Sequence, residues 1–403
     1  MTPTIYVTRN GLLEPLGQSQ VLGYLRGLSQ QYRVTLISYE KDEDWADANR
    51  VAEMRATCAQ LGIHWLPQRF WPRPRLVAPA LSLVRMAWLV RREVRRQGAQ
   101  LIHARSYIPA VAAMAVGRVV GVPFLFDMRA LWPEELITAG RLKRGSILHR
   151  MIVAAERACL RRAGAVVALT HAAVDHLNRV YPEEMGGQRV VIIPTCADLE
   201  RFVPAKTPPA RRVIGCLGTV LSGWFRLDWL ATFLAVAAQK DPELSFELTT
   251  RDDPVVVRAA VDPAGMLGSR LVISASPSGQ VHEVLQRQMA SVMFYAGGEV
   301  SELGRSPTRL AEILGCGVPV VANAGVGDVA RIIRDYDVGV LAQGGSKPEM
   351  EAAMTALLAL QADPDLPARC RKAAEEVFSR EKGTAAFAAI YEQIIRAPVA
   401  ANR

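Results

Sequence analysis

Short apolar segments alternate with longer amphipathic segments through the first half of the chain. The apolar segments are rich in β-branched and aromatic residues, which favour strands, and they occupy residues 5–7, 34–38, 63–66, 101–103, 124–126, 166–169 and 190–193. The stretches between them are long enough to form helices. This alternation predicts a doubly wound parallel sheet, and hence an α/β domain, over residues 1–203.

A second α/β series follows a proline-rich stretch at residues 205–210 and begins with the apolar segment 213–217. A chain of 403 residues is too long for one hydrophobic core, so we predict a second Rossmann-like domain over residues 211–379. Doubly wound sheets bind ligands at the carboxyl ends of their strands. We therefore expect the two domains to face a central cleft.

The stretch at residues 306–328 contains the most distinctive polar residues. Ser306 is a suitable N-cap, and Pro307 a suitable first residue, for the helix predicted there. Arg309 in the first turn opposes the helix dipole, and a bound phosphate would remove that conflict. Glu312 lies one turn further on the same side, where it could accept hydrogen bonds from a ribose or could pair with Arg309. Both interpretations are open from the sequence alone.

This stretch resembles the donor-site motif of the family 4 retaining glycosyltransferases. The resemblance rests on SPTR at 306–309, on Glu312 and on GCGVPVV at 315–321. It implies the GT-B fold, in which two Rossmann-like domains face each other. It also implies that four residues bind a nucleoside-diphosphate sugar, namely Ser306, Thr308, Arg309 and Glu312.

Other donor-side positions follow from the same resemblance. The family motif has two glutamates, and the first of them falls on Gly304, with Glu299 and Glu302 as candidate replacements. The sugar diphosphate is expected at the loop of residues 218–226, whose glycines, hydroxyl groups and arginine suit a phosphate cradle. The candidate residues in this loop are Gly218, Thr219, Ser222 and Arg226.

The resemblance also implies acceptor-side residues in the first domain. Gly17 belongs to the glycine-containing loop after the first strand, and Arg105 follows the fourth strand, where it could bind a negative acceptor or the donor phosphates. Asp127 and Arg129 lie in a segment similar to the RDLWPE sequence of the subgroup of this family that acts on bacterial surface or lipid-linked glycans. Asp127 could position the acceptor hydroxyl as a base or stabiliser, or it could only pair with Arg129 and orient the loop. The predicted catalytic residues are Asp127, Arg129, Glu312 and Arg105.

These observations lead to the hypothesis of a retaining glycosyltransferase that uses a UDP- or GDP-sugar. The six cysteines form no CxxC, and His171 and His176 do not share a helix face, so we expect no metal site and no cofactor beyond the sugar nucleotide. The C-terminal helix, residues 380–403, is expected to cross back onto the first domain. A nucleotide-sugar epimerase of the same fold is the alternative, and it would act on free donor without an acceptor.

The net charge of +9 lies in the first 200 residues and is concentrated in one segment. Arg69–Arg96 contains eight arginines against Glu93 alone. In a helix, Met86 and Val90 would face the core, while Trp88 and Leu89 would share the basic face. Arginine interleaved with aromatic residues suggests contact with an anionic membrane, and a solvated basic face is the alternative.

Two further hypotheses concern partners and location. A nucleic-acid-binding protein is disfavoured, because the chain has no zinc finger, aromatic RNA-binding signature or helix-turn-helix pattern. The apolar segment at residues 5–7 leaves no room for a signal sequence, and no apolar run reaches the ~18 residues of a spanning helix. We therefore expect a cytoplasmic enzyme, peripheral on the inner face of the membrane, with a glycan or polyprenyl-linked acceptor.

Overall fold

The computed structural model describes residues 1–70, 78–207 and 212–397, with only the backbone for residues 78–80. The chain divides into two compact units. Unit 1 comprises residues 1–194 with the C-terminal segment that starts at Arg380, and unit 2 comprises Thr195–Ser379. Residues 195–203, which the sequence pattern predicts to lie in the first domain, belong to unit 2. The Ala197 amide, for example, donates to the Phe378 carbonyl at 3.0 Å.

Unit 1 is built on a parallel sheet. Its strands are β1 (Thr2–Thr8), β2 (Tyr32–Glu40), β3 (His64–Arg69), β4 (Leu101–Arg105), β5 (Phe124–Met128), β6 (Ala165–Ala168) and β7 (Val190–Ile192). Their order is β3-β2-β1-β4-β5-β6-β7, so all seven predicted strands are confirmed. The order changes direction between β1 and β4, and ligands of doubly wound sheets bind at this switch point.

The helices of unit 1 connect these strands and cover the sheet. They are α1 (Pro15–Gly17), which continues through a π-helical turn (Gln18–Leu22), α2 (Gly23–Leu28), α3 (Asp42–Trp45), α4 (Ala48–Gln60), α5 (Ala78–Gln97), α6 (Tyr107–Val120), α7 (Trp132–Thr138), α8 (Ile147–Arg162), α9 (His171–Val180), α10 (Pro182–Met185) and, after unit 2, α18 (Arg380–Arg396). Helices α5 and α8 both pack against α6, and α18 packs against α2. Every residue of β4 and β5 is buried, as expected for central parallel strands.

Unit 2 repeats this plan on a smaller scale. Its strands are β8 (Val213–Leu217), β9 (Ser245–Thr249), β10 (Leu271–Ser274), β11 (Ala290–Met293), β12 (Val320–Asn323) and β13 (Gly339–Ala342), in the parallel order β10-β9-β8-β11-β12-β13. Its helices are α11 (Leu227–Lys240), α12 (Pro254–Val261), α13 (Val281–Gln286), α14 (Thr308–Gly315), α15 (Val329–Tyr336), α16 (Lys347–Leu360) and α17 (Leu366–Val377), with 3₁₀ turns at 268–270, 278–280 and 300–304. The predicted second α/β domain is therefore present.

Two further observations concern the cysteines and the helices. All six cysteines are buried and unbridged, in keeping with the core thiols predicted from the sequence. Among the described residues, no helix combines the length and the apolar character that crossing a bilayer requires.

Candidate functional site

The helix α14 starts one residue later than the sequence predicts, and Ser306 has a different partner. Pro307, not Ser306, is the N-cap, and the first helical residue is Thr308. The Ser306 hydroxyl oxygen accepts a hydrogen bond from the Thr195 amide at 3.1 Å. The N-cap prediction for Ser306 is therefore wrong, and this side chain ties the beginning of unit 2 to the motif.

Arg309 and Glu312 form an ion pair on the surface of α14. The Arg309 Nη1 to Glu312 Oε2 distance is 2.5 Å, and the two side chains are 36% and 12% exposed. The Arg309 guanidinium lies against the β8 loop, since a Cβ added to Gly218 would be 3.5 Å from Arg309 Nε. Gly218 has φ +115°, which disfavours larger residues. The structure therefore brings together three of the predicted donor-side residues, all reachable from solvent.

The amides of the β8 loop are already occupied. The Asp252 carboxylate accepts hydrogen bonds from the Val220 amide at 2.6 Å and the Leu221 amide at 3.0 Å. Burial alone would raise the pKa of Asp252, but the Leu221 and Val220 amides outweigh it and lower that pKa. Part of the predicted phosphate cradle thus holds an internal carboxylate, while Thr219 at the start of the loop is exposed and Ser222 is half-buried.

Arg226, at the end of this loop, is the N-cap of α11 and is paired with Asp228. Its Nε and Nη2 donate to the two carboxylate oxygens of Asp228 at 3.0 and 2.8 Å, and its guanidinium lies 4.7 Å from the Trp229 ring centre. The hydrogen bond to Asp228 raises the pKa of Arg226. Arg226 is accessible, but a phosphate would have to share it with Asp228.

Sequence reasoning missed three aromatic or basic neighbours of this cluster. The Arg305 guanidinium lies 3.7 Å from the ring centre of Trp224 and forms an ion pair with the buried Glu302 carboxylate at 3.1 Å. Burial raises the pKa of Tyr295 to about 12, although the nearby charges of Arg309 and Arg305 oppose that rise. An arginine directly before the SPTR motif and a tryptophan inside the glycine loop were the available signals.

The candidate replacements for the missing motif glutamate lie in different surroundings. Glu302 is buried and holds Arg305, while Glu299 is exposed at the start of the adjoining 3₁₀ turn. Gly304 itself is buried. Of the two candidates, Glu299 is therefore the carboxylate that solvent reaches, and Glu302 pairs with Arg305.

In unit 1, Asp127 is completely buried at the carboxyl end of β5. Arg105 stands opposite it in the β4–β5 register, and the Arg105 Nη1 to Asp127 Oδ2 distance is 3.3 Å. Arg129 Nη1 lies 3.4 Å from Oδ1, and His103 Nε2 lies 3.3 Å from Oδ2. The structure thus brings three of the four predicted catalytic residues together, with Arg105 and Arg129 on the carboxylate of Asp127.

The charge states of this cluster follow from its burial and its partners. Burial would raise the pKa of Asp127, but Arg129, the hydrogen bond from His103 and Arg105 together hold it well below its usual range. Burial lowers the pKa of His103, which favours the neutral imidazole. Its Nε2–H faces Asp127, which leaves Nδ1 to accept from the Tyr391 hydroxyl of α18 at 2.7 Å. This arrangement favours an ion pair that orients the loops after β4 and β5.

The loop after β1 is held from within unit 1 as well. The buried Glu40 carboxylate accepts from the amides of Leu12 at 2.9 Å and Leu13 at 3.1 Å. A Cβ added to Gly17 would lie 1.9 Å from the Gly11 carbonyl oxygen, so only glycine fits there. Gly17 therefore permits close packing of the loop, and the amides of Leu12 and Leu13 serve Glu40.

Comparisons with known proteins agree with this architecture. The family model "Glycosyltransferase Family 4" matches residues 17–201, and the model "Glycosyl transferases group 1" matches residues 268–377. A 2-deoxystreptamine N-acetyl-D-glucosaminyltransferase from Streptomyces fradiae is 29% identical, and the match spans 63% of each chain.

Two solved structures share the fold of the whole chain. Sucrose-phosphate synthase from Thermosynechococcus elongatus has a TM-score of 0.70 at 15% identity, covering 99% of this chain and 100% of that one. HepE from Anabaena, solved with UDP, has a TM-score of 0.69 at 14% identity, covering 97% and 100%. These likenesses confirm the predicted fold class.

Proposed function

Because the chain belongs to the family 4 glycosyltransferases of GT-B fold, we propose that it transfers a sugar from a nucleoside-diphosphate donor to a glycan or lipid-linked acceptor with retention of configuration. The observation that carries this proposal is the cluster at the start of α14, where Arg309 adjoins both Gly218 and Glu312. A cation, a glycine-bounded loop and an accessible carboxylate there suit the phosphates and hydroxyls of a sugar nucleotide.

In the proposed reaction the bond between the anomeric carbon and the diphosphate oxygen breaks. The acceptor oxygen forms its bond to the same face of that carbon, and its proton passes to the departing phosphate oxygen. The negative charge that grows on the diphosphate would be offset by Arg309 and by the N-terminus of α14, with Arg226 as a further cation and no metal ion required. Arg309 would become available for this role when the diphosphate replaces Glu312 as the partner of its guanidinium.

A uridine nucleotide is the first donor to test, because HepE shares the fold and was solved with UDP. An N-acetylglucosaminyl donor is supported by the Streptomyces relative, whose name specifies that sugar. A GDP-sugar is the second nucleotide to test. The family models favour the transferase over the epimerase hypothesis, since both describe glycosyltransferases.

On the acceptor side, we propose that Arg129, the more exposed of the two arginines, faces the acceptor, and that Asp127 and the buried Arg105 hold it in position. A polyprenyl-linked glycan at the inner face of the cytoplasmic membrane is the proposed acceptor, in polysaccharide or glycoconjugate synthesis.

In the segment Arg69–Arg96, helix α5 carries the residues proposed to contact the membrane. Trp88 is 59% exposed there, and Arg92 lies 5.0 Å from its ring centre. Leu89 is buried, so its assignment to the basic face is wrong: it belongs to the core face of α5. The remaining part of the segment, residues 71–77, lies outside the described residues.

The test is donor turnover by Glu312→Gln and Arg309→Ala. Each variant is expected to lose about 10²–10³ in kcat with an unchanged unfolding transition, because each group acts on the donor at the surface of α14. Arg331→Ala, which breaks the exposed Arg331–Asp335 pair on α15, is the matched control and should retain activity. Normal turnover in either α14 variant would refute the site. Epimerisation of free donor without an acceptor would refute the transferase proposal.

A further inference from the structure

The first turns of α8 expose three large apolar side chains. Ile147 is 77% exposed, Met151 is 63% exposed, and Leu148 is more than half exposed. Ile147 and Met151 are four residues apart and therefore share one side of the helix. Exposed apolar side chains are ordinary when they are scattered singly, whereas a cluster of large ones marks an interaction surface.

The surroundings of this apolar turn are strongly basic. Residues 136–155 contain four charged residues, Arg141, Lys143, Arg144 and Arg150, and no aspartate or glutamate. All four are exposed. The Arg144 guanidinium pairs with both carboxylate oxygens of Glu134, which neutralises one of the four charges. The turn therefore keeps an excess of positive charge beside its apolar side chains.

Helix α5 presents a similar surface in the same layer of unit 1. Leu81, Val84 and Trp88 are each more than half exposed and are spaced three and four residues apart, so they form one stripe. Arg85 and Arg92 are exposed beside them. Since α5 and α8 each run from the carboxyl edge of the sheet back to its amino edge and both pack against α6, the two apolar stripes begin at the same edge.

We propose that the first turns of α8, together with the stripe on α5, dock onto an anionic phospholipid bilayer. The apolar side chains would enter the interface, and the basic side chains would meet the lipid phosphates. A second copy of the chain fits this surface poorly, because a two-fold contact would bring the basic clusters together. The contact would hold the loop that carries Arg129 next to lipid. A lipid-linked acceptor would then be favoured, and this consequence rests on the proposed function.

The test is cosedimentation of the full chain with vesicles of phosphatidylglycerol and phosphatidylcholine in equal parts, without donor or acceptor. Ile147→Ser with Met151→Ser should weaken the apparent affinity by at least about tenfold, the effect of ~1.4 kcal/mol of lost transfer free energy. Val255→Ser with Val256→Ser is the matched control, because these valines are also exposed at the first turn of a helix, in unit 2, and the control should bind as the parent chain does. Vesicles of phosphatidylcholine alone should bind the parent chain weakly.

Unchanged cosedimentation of the α8 variant would overturn the proposal. A lower mass of that variant by light scattering in the absence of lipid would also overturn it, because the face would then be a contact between copies. Turnover of a water-soluble acceptor should be the same in the α8 variant and the parent chain. If neither the parent chain nor the α8 variant transferred sugar, the proposed function would be contradicted. The vesicle assay would still decide the membrane proposal, because it uses neither donor nor acceptor.

Discussion

Replacing Asp127 with asparagine removes the negative charge that Arg105 and Arg129 share in unit 1. Their side chains are only 4% and 11% exposed, so water cannot replace the lost carboxylate charge. Removal of one partner from a buried ion pair costs about 3–5 kcal/mol. Two lost charge-assisted hydrogen bonds at about 1.5–3 kcal/mol each give about 3–6 kcal/mol, which agrees with that range. We expect Asp127→Asn to lower the free energy of unfolding of unit 1 by this amount.

Urea unfolding followed by circular dichroism measures the effect. At a slope of about 3 kcal/mol per M, the midpoint of the unit 1 transition should fall by about 1–1.7 M. Asp175→Asn is the matched control, since Asp175 is exposed on α9 of the same unit and its substitution should leave the midpoint in place.

The stabilisation that Asp127 provides is expected to depend on pH in one direction. The pKa of Asp127 is lower in the folded chain than its ordinary value of 3.8, so its carboxylate stabilises the fold above that value. This contribution is lost as the pH falls below 3.8 and through the folded-state pKa. The stability difference between the parent chain and Asp127→Asn should therefore be constant from neutral pH down to about 4 and shrink below it. A variant as stable as the parent chain but without transferase activity would refute this reasoning and favour direct contact between Asp127 and substrate.

Two further predictions concern the arginines on the surface. Arg226→Ala should raise the apparent dissociation constant for the donor by about 10- to 100-fold, the value of one charge-assisted hydrogen bond, and that for the acceptor by less. Asp228→Asn should bind the donor at least as well as the parent chain does, because it frees Arg226, and equal effects of Arg226→Ala on donor and acceptor would move Arg226 out of the diphosphate site. Trp88→Ala combined with Arg92→Glu and Arg96→Glu should abolish cosedimentation with anionic vesicles, which high salt should also abolish in the parent chain. Undiminished binding by this triple variant would show that α5 does not face the membrane.

The strand pattern and the fold class could be read from the sequence, because they depend on local apolar periodicity. The apolar segments that became β4 and β5 are surrounded by protein on both faces, so burial leaves a strong and local signal. The motif at residues 306–321 was visible for a similar reason, since its serine, arginine, glutamate and glycines lie close together in the sequence. Its Arg309–Glu312 pair required only the helix spacing.

The partners of the site residues were decided by tertiary structure alone, because they lie far apart in the sequence. Ser306 meets the Thr195 amide, which lies 111 residues away, and so does not cap α14. His103 meets Tyr391, which lies 288 residues away. The β8 loop binds Asp252, so amides that looked available for phosphate already have an acceptor. Local spacing cannot specify such contacts, because a buried polar group takes whichever partner the packing of distant elements brings within hydrogen-bonding distance.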